Sequence, residues 1–131
     1  MYLVWNYCYR NEALTVGISM KYYDEIISGK LRLQLEKEIM DWPDVSTKKM
    51  FGCPCYMVDE KIFVFLVTNG IVITQLKPDE LKGLQKLTNT LYFQAGKRTV
   101  KKWTKITVTS EAELMQLLPY IKMSYNSLMG D

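Results

Sequence analysis

From Ile62 to Val67 the chain places six apolar residues in a row, mostly β-branched or aromatic. A strand with one wet face alternates apolar and polar side chains. An unbroken apolar strand is covered on both faces and lies inside its sheet. The segment before it ends at Met57-Val58 and the polar pair Asp59-Glu60, which reads as a turn. After it come Asn69-Gly70 and a return strand, Ile71–Leu76. Asn and Gly both tolerate positive φ, so this pair predicts a two-residue type I′ hairpin. Residues 49–76 are thus expected to form a three-stranded antiparallel meander. Both alternating sets of Ile62–Val67 should be buried, one under helices and the other under a further layer, the N-terminal arm or a second subunit.

On either side of the meander the period becomes helical. Tyr22/Tyr23, Ile26/Ile27, Leu31, Leu35, Ile39 and Trp42 form an amphipathic stripe, with Glu36, Lys37, Glu38 and Asp41 toward water. Glycine costs about 1 kcal/mol against alanine in a helix, so Ser28-Gly29 predicts a break or kink. Pro43 ends the helix, because proline pushes the residue before it out of the α region. A short helix follows over Lys77–Leu87, with Pro78 in its first turn and Asp79 and Glu80 at its positive end. Thr90–Gln94 and Thr99–Val108 flank Ala95-Gly96 as a second hairpin. Ser110, with Glu113 three residues on, forms a capping box. It opens a last helix whose stripe is Leu114, Leu117, Leu118, Ile121, Tyr125 and Leu128. Pro119 inside it predicts a kink or two helical pieces.

The expected fold class is α+β. An antiparallel sheet, built on the meander (about 49–76) and a later hairpin (about 90–108), packs with an N-terminal helix, a short middle helix and a kinked C-terminal helix. Residues 21–131 make a single domain. Residues 1–20 crowd Tyr2, Trp5, Tyr7 and Tyr9 into a stretch without a helical stripe. They read as an extra strand or an arm, or they precede a true start at Met20.

Composition narrows the chemistry. A chain of 131 residues, 48% hydrophobic, builds a core without staples. A net charge of +3 is too small to imply nucleic-acid binding by itself. No apolar run approaches the roughly 18 residues that span a bilayer. Three cysteines and no export-signal pattern point to the cytoplasm. The absence of histidine removes histidine-based triads, ligands and near-neutral proton shuttles. No other catalytic motif stands out, so a non-enzymatic domain without cofactor or metal is expected.

Three features remain as candidate sites. Cys53-Pro54-Cys55 departs from the C-x-x-C spacing of redox and zinc motifs, and the third thiol, Cys8, lies in the arm. Core packing explains these cysteines, and a small-ligand- or metal-responsive region is the alternative. Residues 96–105 carry Lys97, Arg98, Lys101, Lys102 and Lys105 with no acid between them. Such a stretch suits a solvated edge, the docking of an acidic protein or weak contact with a phosphate backbone. Protein docking is the expectation, with no specific DNA site, since no reading head is visible. Trp103 reads as a sheet anchor, and Phe51-Gly52 as a bend in the sheet.

Lys49-Met50-Phe51-Gly52, the strand ending in Val58-Asp59, Ile62-Phe63-Val64, Asn69-Gly70, Lys102-Trp103 and Ser124-Tyr125 occur in an order that resembles the N-terminal domain of the TfoX/Sxy family of competence regulators. The likeness covers about Leu31 to Leu128. It implies a compact α+β domain with Phe51, Gly52, Asn69, Gly70, Trp103 and Tyr125 as structural positions. It also implies a role in transcription regulation of competence, which longer members exert together with the cyclic-AMP receptor protein. The helical C-terminal domain of those members is missing here, and Cys53-Pro54-Cys55 replaces the glycine and small or aromatic residue that usually follow. The implied function is a regulatory or adaptor domain acting on a protein partner, either alone or as a homodimer, with no membrane.

Overall fold

The structure, a computed structural model, describes residues 22–130. They form α1 (Glu25–Ile39), β1 (Ser46–Met50), β2 (Cys53–Val58), β3 (Lys61–Val67), β4 (Gly70–Ile73), α2 (Pro78–Leu87), β5 (Leu91–Ala95), β6 (Arg98–Thr107) and α3 (Glu111–Leu128). The six strands make one antiparallel sheet in the order β1-β2-β3-β4-β6-β5. The fold is α+β, as the pattern predicts. The meander has a fourth strand at its start, because β1 pairs with β2 from Ser46↔Met57 to Met50↔Cys53. Its sequence, Ser-Thr-Lys-Lys-Met, hides it from a hydrophobic pattern: it is an exposed edge, and lysines on an edge deter further pairing.

β3 lies third in the sheet, and Phe63, Val64, Phe65, Leu66 and Val67 are all buried. A bulge lets it serve two layers. Tyr56 opposes Val64 while Met57 opposes Ile62, so Phe63 is an extra residue in the ladder. In a regular strand Phe63 and Phe65 share a face. Here the Phe63 ring packs on Trp42 (6.2 Å) and Tyr125 (5.4 Å) of the helical layer, while Phe65 meets Phe93 (5.2 Å) and Trp103 (5.3 Å) of the second hairpin. The carbonyls at the bulge keep partners. That of Ile62 accepts from the Thr74 hydroxyl and the Gln75 amide, and that of Phe63 from Thr74 N and Ser124 Oγ.

The second face is enclosed by curvature. β5 stands three strands from β3, roughly 14 Å away in a flat sheet. A 5.2 Å contact between Phe65 and Phe93 requires the sheet to curl until its later hairpin lies over its middle. Among the described residues the layer expected on this face is therefore the sheet itself together with Tyr22. The N-terminal arm proposed for it lies outside those residues.

α1 corrects the helix prediction at two points. It begins at Glu25, because Asp24 caps it by accepting from Ile26 N and Ile27 N. It also continues through Ser28-Gly29 without a break. Ser28 N–H donates to Asp24 O as a helical residue should, and Ser28 Oγ, buried, accepts from Asn69 N at 2.7 Å. Gly29 leaves space for Glu25, whose carboxylate lies 3.0 Å from where a Cβ would be. The buried side is thus Ser28, Leu35 and Ile39, while Ile26 stands 95% exposed. A polar core residue displaced the apparent stripe. α3 starts as expected, with Ser110 Oγ accepting from Glu113 N, and it runs through Pro119 as one helix, not two pieces.

The turns also shift. Phe51-Gly52 and Asp59-Glu60 are two-residue turns with positive φ at both positions, as type I′ requires. Phe51-Gly52 is therefore a hairpin turn rather than a sheet bend. The third loop is Thr68-Asn69, one residue earlier than predicted, with Asn69 at φ +56. Gly70 is instead the first residue of β4, where an added Cβ would stand 2.7 Å from the Ile106 carbonyl of β6. Here glycine serves strand proximity, not turn geometry.

Two mutations test this packing. Gly70→Ala should cost about 1–3 kcal/mol in denaturant unfolding, because the β4–β6 backbones must separate. Ser124→Ala removes a fully buried hydroxyl that donates to Phe63 O and accepts from Gln75 N. It should cost a similar ~1–3 kcal/mol by orphaning those groups.

Candidate functional site

The curl brings two hairpin tips together at Tyr22. Its ring packs 5.9 Å from Phe51, at the β1–β2 tip, and 5.7 Å from Phe93 in β5. Its hydroxyl accepts from Gly96 N, at the β5–β6 tip, at 2.9 Å. Its carbonyl accepts from Thr68 N, which ties it to the end of β3. One tyrosine thus spans the distance between two opposite ends of the sheet.

Phe51 is the unusual residue of this region. Its φ is +53, a region that bulky residues avoid, yet its side chain is 67% exposed. Asn or Gly would suit that backbone better, and burial gives Phe little in return. The predicted basic residues lie on the β5–β6 hairpin, whose tip meets the same tyrosine, Tyr22. Lys97 lies in the β5–β6 turn, and Arg98, Lys101, Lys102 and Lys105 lie on β6. Lys105 is half-buried and the other four are exposed. Among the described residues none of the five makes an ion pair. Leu91 and Tyr92 on the edge strand β5 add exposed apolar surface. Trp103 is a sheet anchor as expected, between Phe65 and Phe93, and Tyr125 is buried with its hydroxyl donating to Pro43 O at 2.7 Å.

The cysteines belong to the interior. Cys53 and Cys55 are buried free thiols, and Cys55 pairs with Phe65 on the enclosed face. Burial pushes both thiols up, Cys55 to about 12 and Cys53 well above its ordinary value, with Cys55 adding to the effect at Cys53. Among the described residues no three Cys, Asp or Glu are placed to hold a metal. Cys8 lies outside the described residues.

Sequence reasoning missed a groove of about 510 Å³ between α1 and the β1–β2 hairpin. Its wall is a linked set of side chains. Arg32 donates through Nε and Nη2 to both oxygens of Glu25 (2.9 and 2.8 Å), and through Nη1 to Glu36 (3.0 Å). Tyr23 OH donates to Glu25 at 2.5 Å, and Tyr56 OH donates to Glu36 at 2.7 Å. Glu36, expected to face water, is half-buried for this reason. Thr47, Lys48 and Lys49 complete the rim, and the two lysines make no ion pair among the described residues. The only sequence signals were the Arg32/Glu36 spacing on a helix and a tyrosine, Tyr56, inside an apolar strand.

Charge states follow from this arrangement. The Arg32 hydrogen bonds hold the Glu25 carboxyl below its ordinary 4.5, while burial, then their carboxylate partners, push the Tyr23 and Tyr56 hydroxyls above their ordinary 10. Comparison with protein-family models, with curated proteins and with solved structures finds no match to this chain.

The lowered Glu25 stabilises the fold above its ordinary value, and that share is lost as pH falls through the depressed one. The raised tyrosines stabilise it below their ordinary value, and that share is lost as pH rises past it. Melting temperature should therefore fall on both sides of a plateau between about pH 5 and 10. Ultraviolet titration should show Tyr23 and Tyr56, identified by substitution with Phe, ionising only at the alkaline end. Cys53 and Cys55 should resist a thiol reagent at about pH 8 while the chain is folded, and react at once in denaturant.

Proposed function

We propose that this chain is a non-enzymatic regulatory or adaptor domain that docks an acidic protein partner on its paired hairpin tips. The observation that carries the reading is Phe51, held in an unfavourable backbone region while mostly exposed. Such outliers persist at binding sites, where strain is tolerated because the side chain is needed. Exposed aromatics ringed by polar residues are also the usual anchors of protein interfaces. On the neighbouring β5–β6 hairpin Lys97, Arg98, Lys101 and Lys102, which make no ion pair among the described residues, supply attraction to an acidic surface. The resemblance to TfoX/Sxy N-terminal domains supports a regulatory role, and competence transcription in the cytoplasm is the setting that it implies. Among the described residues no helix is long and apolar enough to cross a membrane.

Two variants separate docking from folding. Phe51→Asn suits positive φ, so its melting temperature should equal or exceed that of the wild type. A protein cross-linked to the wild type in cell extract should bind this variant about 30-fold more weakly, the loss of one interface anchor. Lys101→Glu/Lys102→Glu should leave stability nearly unchanged and weaken the same interaction. Retention of every captured partner by a folded Phe51→Asn variant would refute the docking surface. In a DNA shift assay we expect no sequence preference, and loss of any retardation as salt rises toward about 0.2 M. Salt-resistant binding to one sequence would replace the adaptor reading with a DNA-binding one.

A further inference from the structure

We propose that the open edge of β5 is an internal docking site, filled by the chain's own residues Leu14–Met20 as an added strand. Those residues lie outside the described ones, and the site does not depend on the docking surface at Phe51.

The two edges of the sheet differ in kind. β1 carries Lys48 and Lys49, charges that keep another strand away. β5, Leu-Tyr-Phe-Gln-Ala, carries no charge and no proline, and among the described residues it pairs only with β6. Leu91 and Tyr92 stand exposed on it. Native sheets whose edges lack such guards cover them with another segment. A cleft of about 390 Å³ runs along this edge. Four consecutive residues, Leu91 to Gln94, line it, so it follows the strand itself and not one of its faces. Tyr22, Val67, Thr68 and Lys105 complete the lining. A single buried water needs only roughly 10–15 Å³ of such space, so the cleft has room for several side chains.

The occupant is set by where the described chain begins. Tyr22 lines the cleft, its carbonyl accepts from Thr68 N, and its hydroxyl accepts from Gly96 N beside the end of β5. Met20 stands two residues before it, so residues 14–20 need no linker to reach this edge. Their sequence, Leu-Thr-Val-Gly-Ile-Ser-Met, alternates apolar residues with small or polar ones and carries no charge, as a strand over an apolar cleft requires. Leu14, Val16, Ile18 and Met20 also fall in step with Tyr22, whose ring packs on Phe93 of β5. An extended chain puts all five side chains on one side. Seven residues extend about 23 Å and the five of β5 about 17 Å, so the segment is long enough to cover the edge. A second copy would offer the same chemistry, but from solution. A tethered segment acts at an effective concentration on the order of millimolar, so at micromolar protein it prevails by about a thousandfold.

Hydrogen exchange of the full chain is the test. The N–H groups of β5 alternate between β6 and the open edge. Those on the open edge should exchange at least about 100-fold more slowly than the edge groups of β1, at any protein concentration. Thr15→Pro and Val16→Pro are made separately. Successive residues of a strand turn their N–H groups to opposite sides, so one of the two prolines removes a bond to β5. At least one variant should speed exchange at the β5 edge about tenfold or more while exchange in β3 is unchanged, which separates loss of the added strand from loss of the fold. The site is refuted if the open-edge groups of β5 exchange as fast as those of β1, or if their protection survives both prolines. Protection that is lost on dilution would assign the edge to a second copy instead.

Discussion

Burial of β3 on both faces is the constraint from which the rest of this structure follows. Five consecutive buried residues, from Phe63 to Val67, must be covered from two sides by a chain with three helices among its described residues. One side is met conventionally. Tyr125 and Trp42 pack on Phe63, Lys122 lies over both of those rings, and Ser124 of α3 donates to the backbone of β3. On the other side the sheet bends over itself, so that Phe93 and Trp103 reach Phe65. The bulge at Phe63 makes both solutions available to one strand, because it places neighbouring aromatics in different layers.

The meeting of the two hairpin tips is a consequence of that bending. The concave side draws the β1–β2 and β5–β6 tips together at Tyr22, and so sets Phe51 near the basic hairpin. On the helical side, a groove lies between α1 and the β1–β2 hairpin. Two polar ties fix α1 there: Ser28 to Asn69 near one end, and Glu36 to Tyr56 further along. Each joins a helix side chain to a distant strand or loop, and each was invisible as a core contact because the residues concerned are polar.

The hydrophobic pattern was a reliable guide wherever one residue type had one reason to be present. The uninterrupted run of β3, the capping Ser110 and the stripe of α3 were legible because burial and hydrogen-bond satisfaction act there on adjacent residues. It failed where a residue served a distant partner. Gly70 was read as a turn residue, but it is a glycine because the Ile106 carbonyl leaves no room for a Cβ. Gly29 was read as a helix breaker, but its small size accommodates Glu25 beside Arg32. β1 was overlooked because an edge strand need not be apolar.

The same division separates the candidate sites. The basic residues from Lys97 to Lys105 and the Phe51-Gly52 pair were visible in the sequence as local peculiarities, a charge run and an aromatic next to a glycine. That they flank one tyrosine was not visible, since their closeness depends on the sheet's curvature, a property summed over six strands and two irregular registers. The groove beside α1 was less visible still. Its residues come from the chain before α1, from α1, from β1 and from β2, and none of them forms a motif with its sequence neighbours. The sequence by itself determined the α+β class, the central strand and its burial on both faces, because these follow from local periodicity and the exclusion of apolar groups from water. Only the tertiary structure decided which polar residues converge, because their meeting depends on the bend and register of the sheet as a whole.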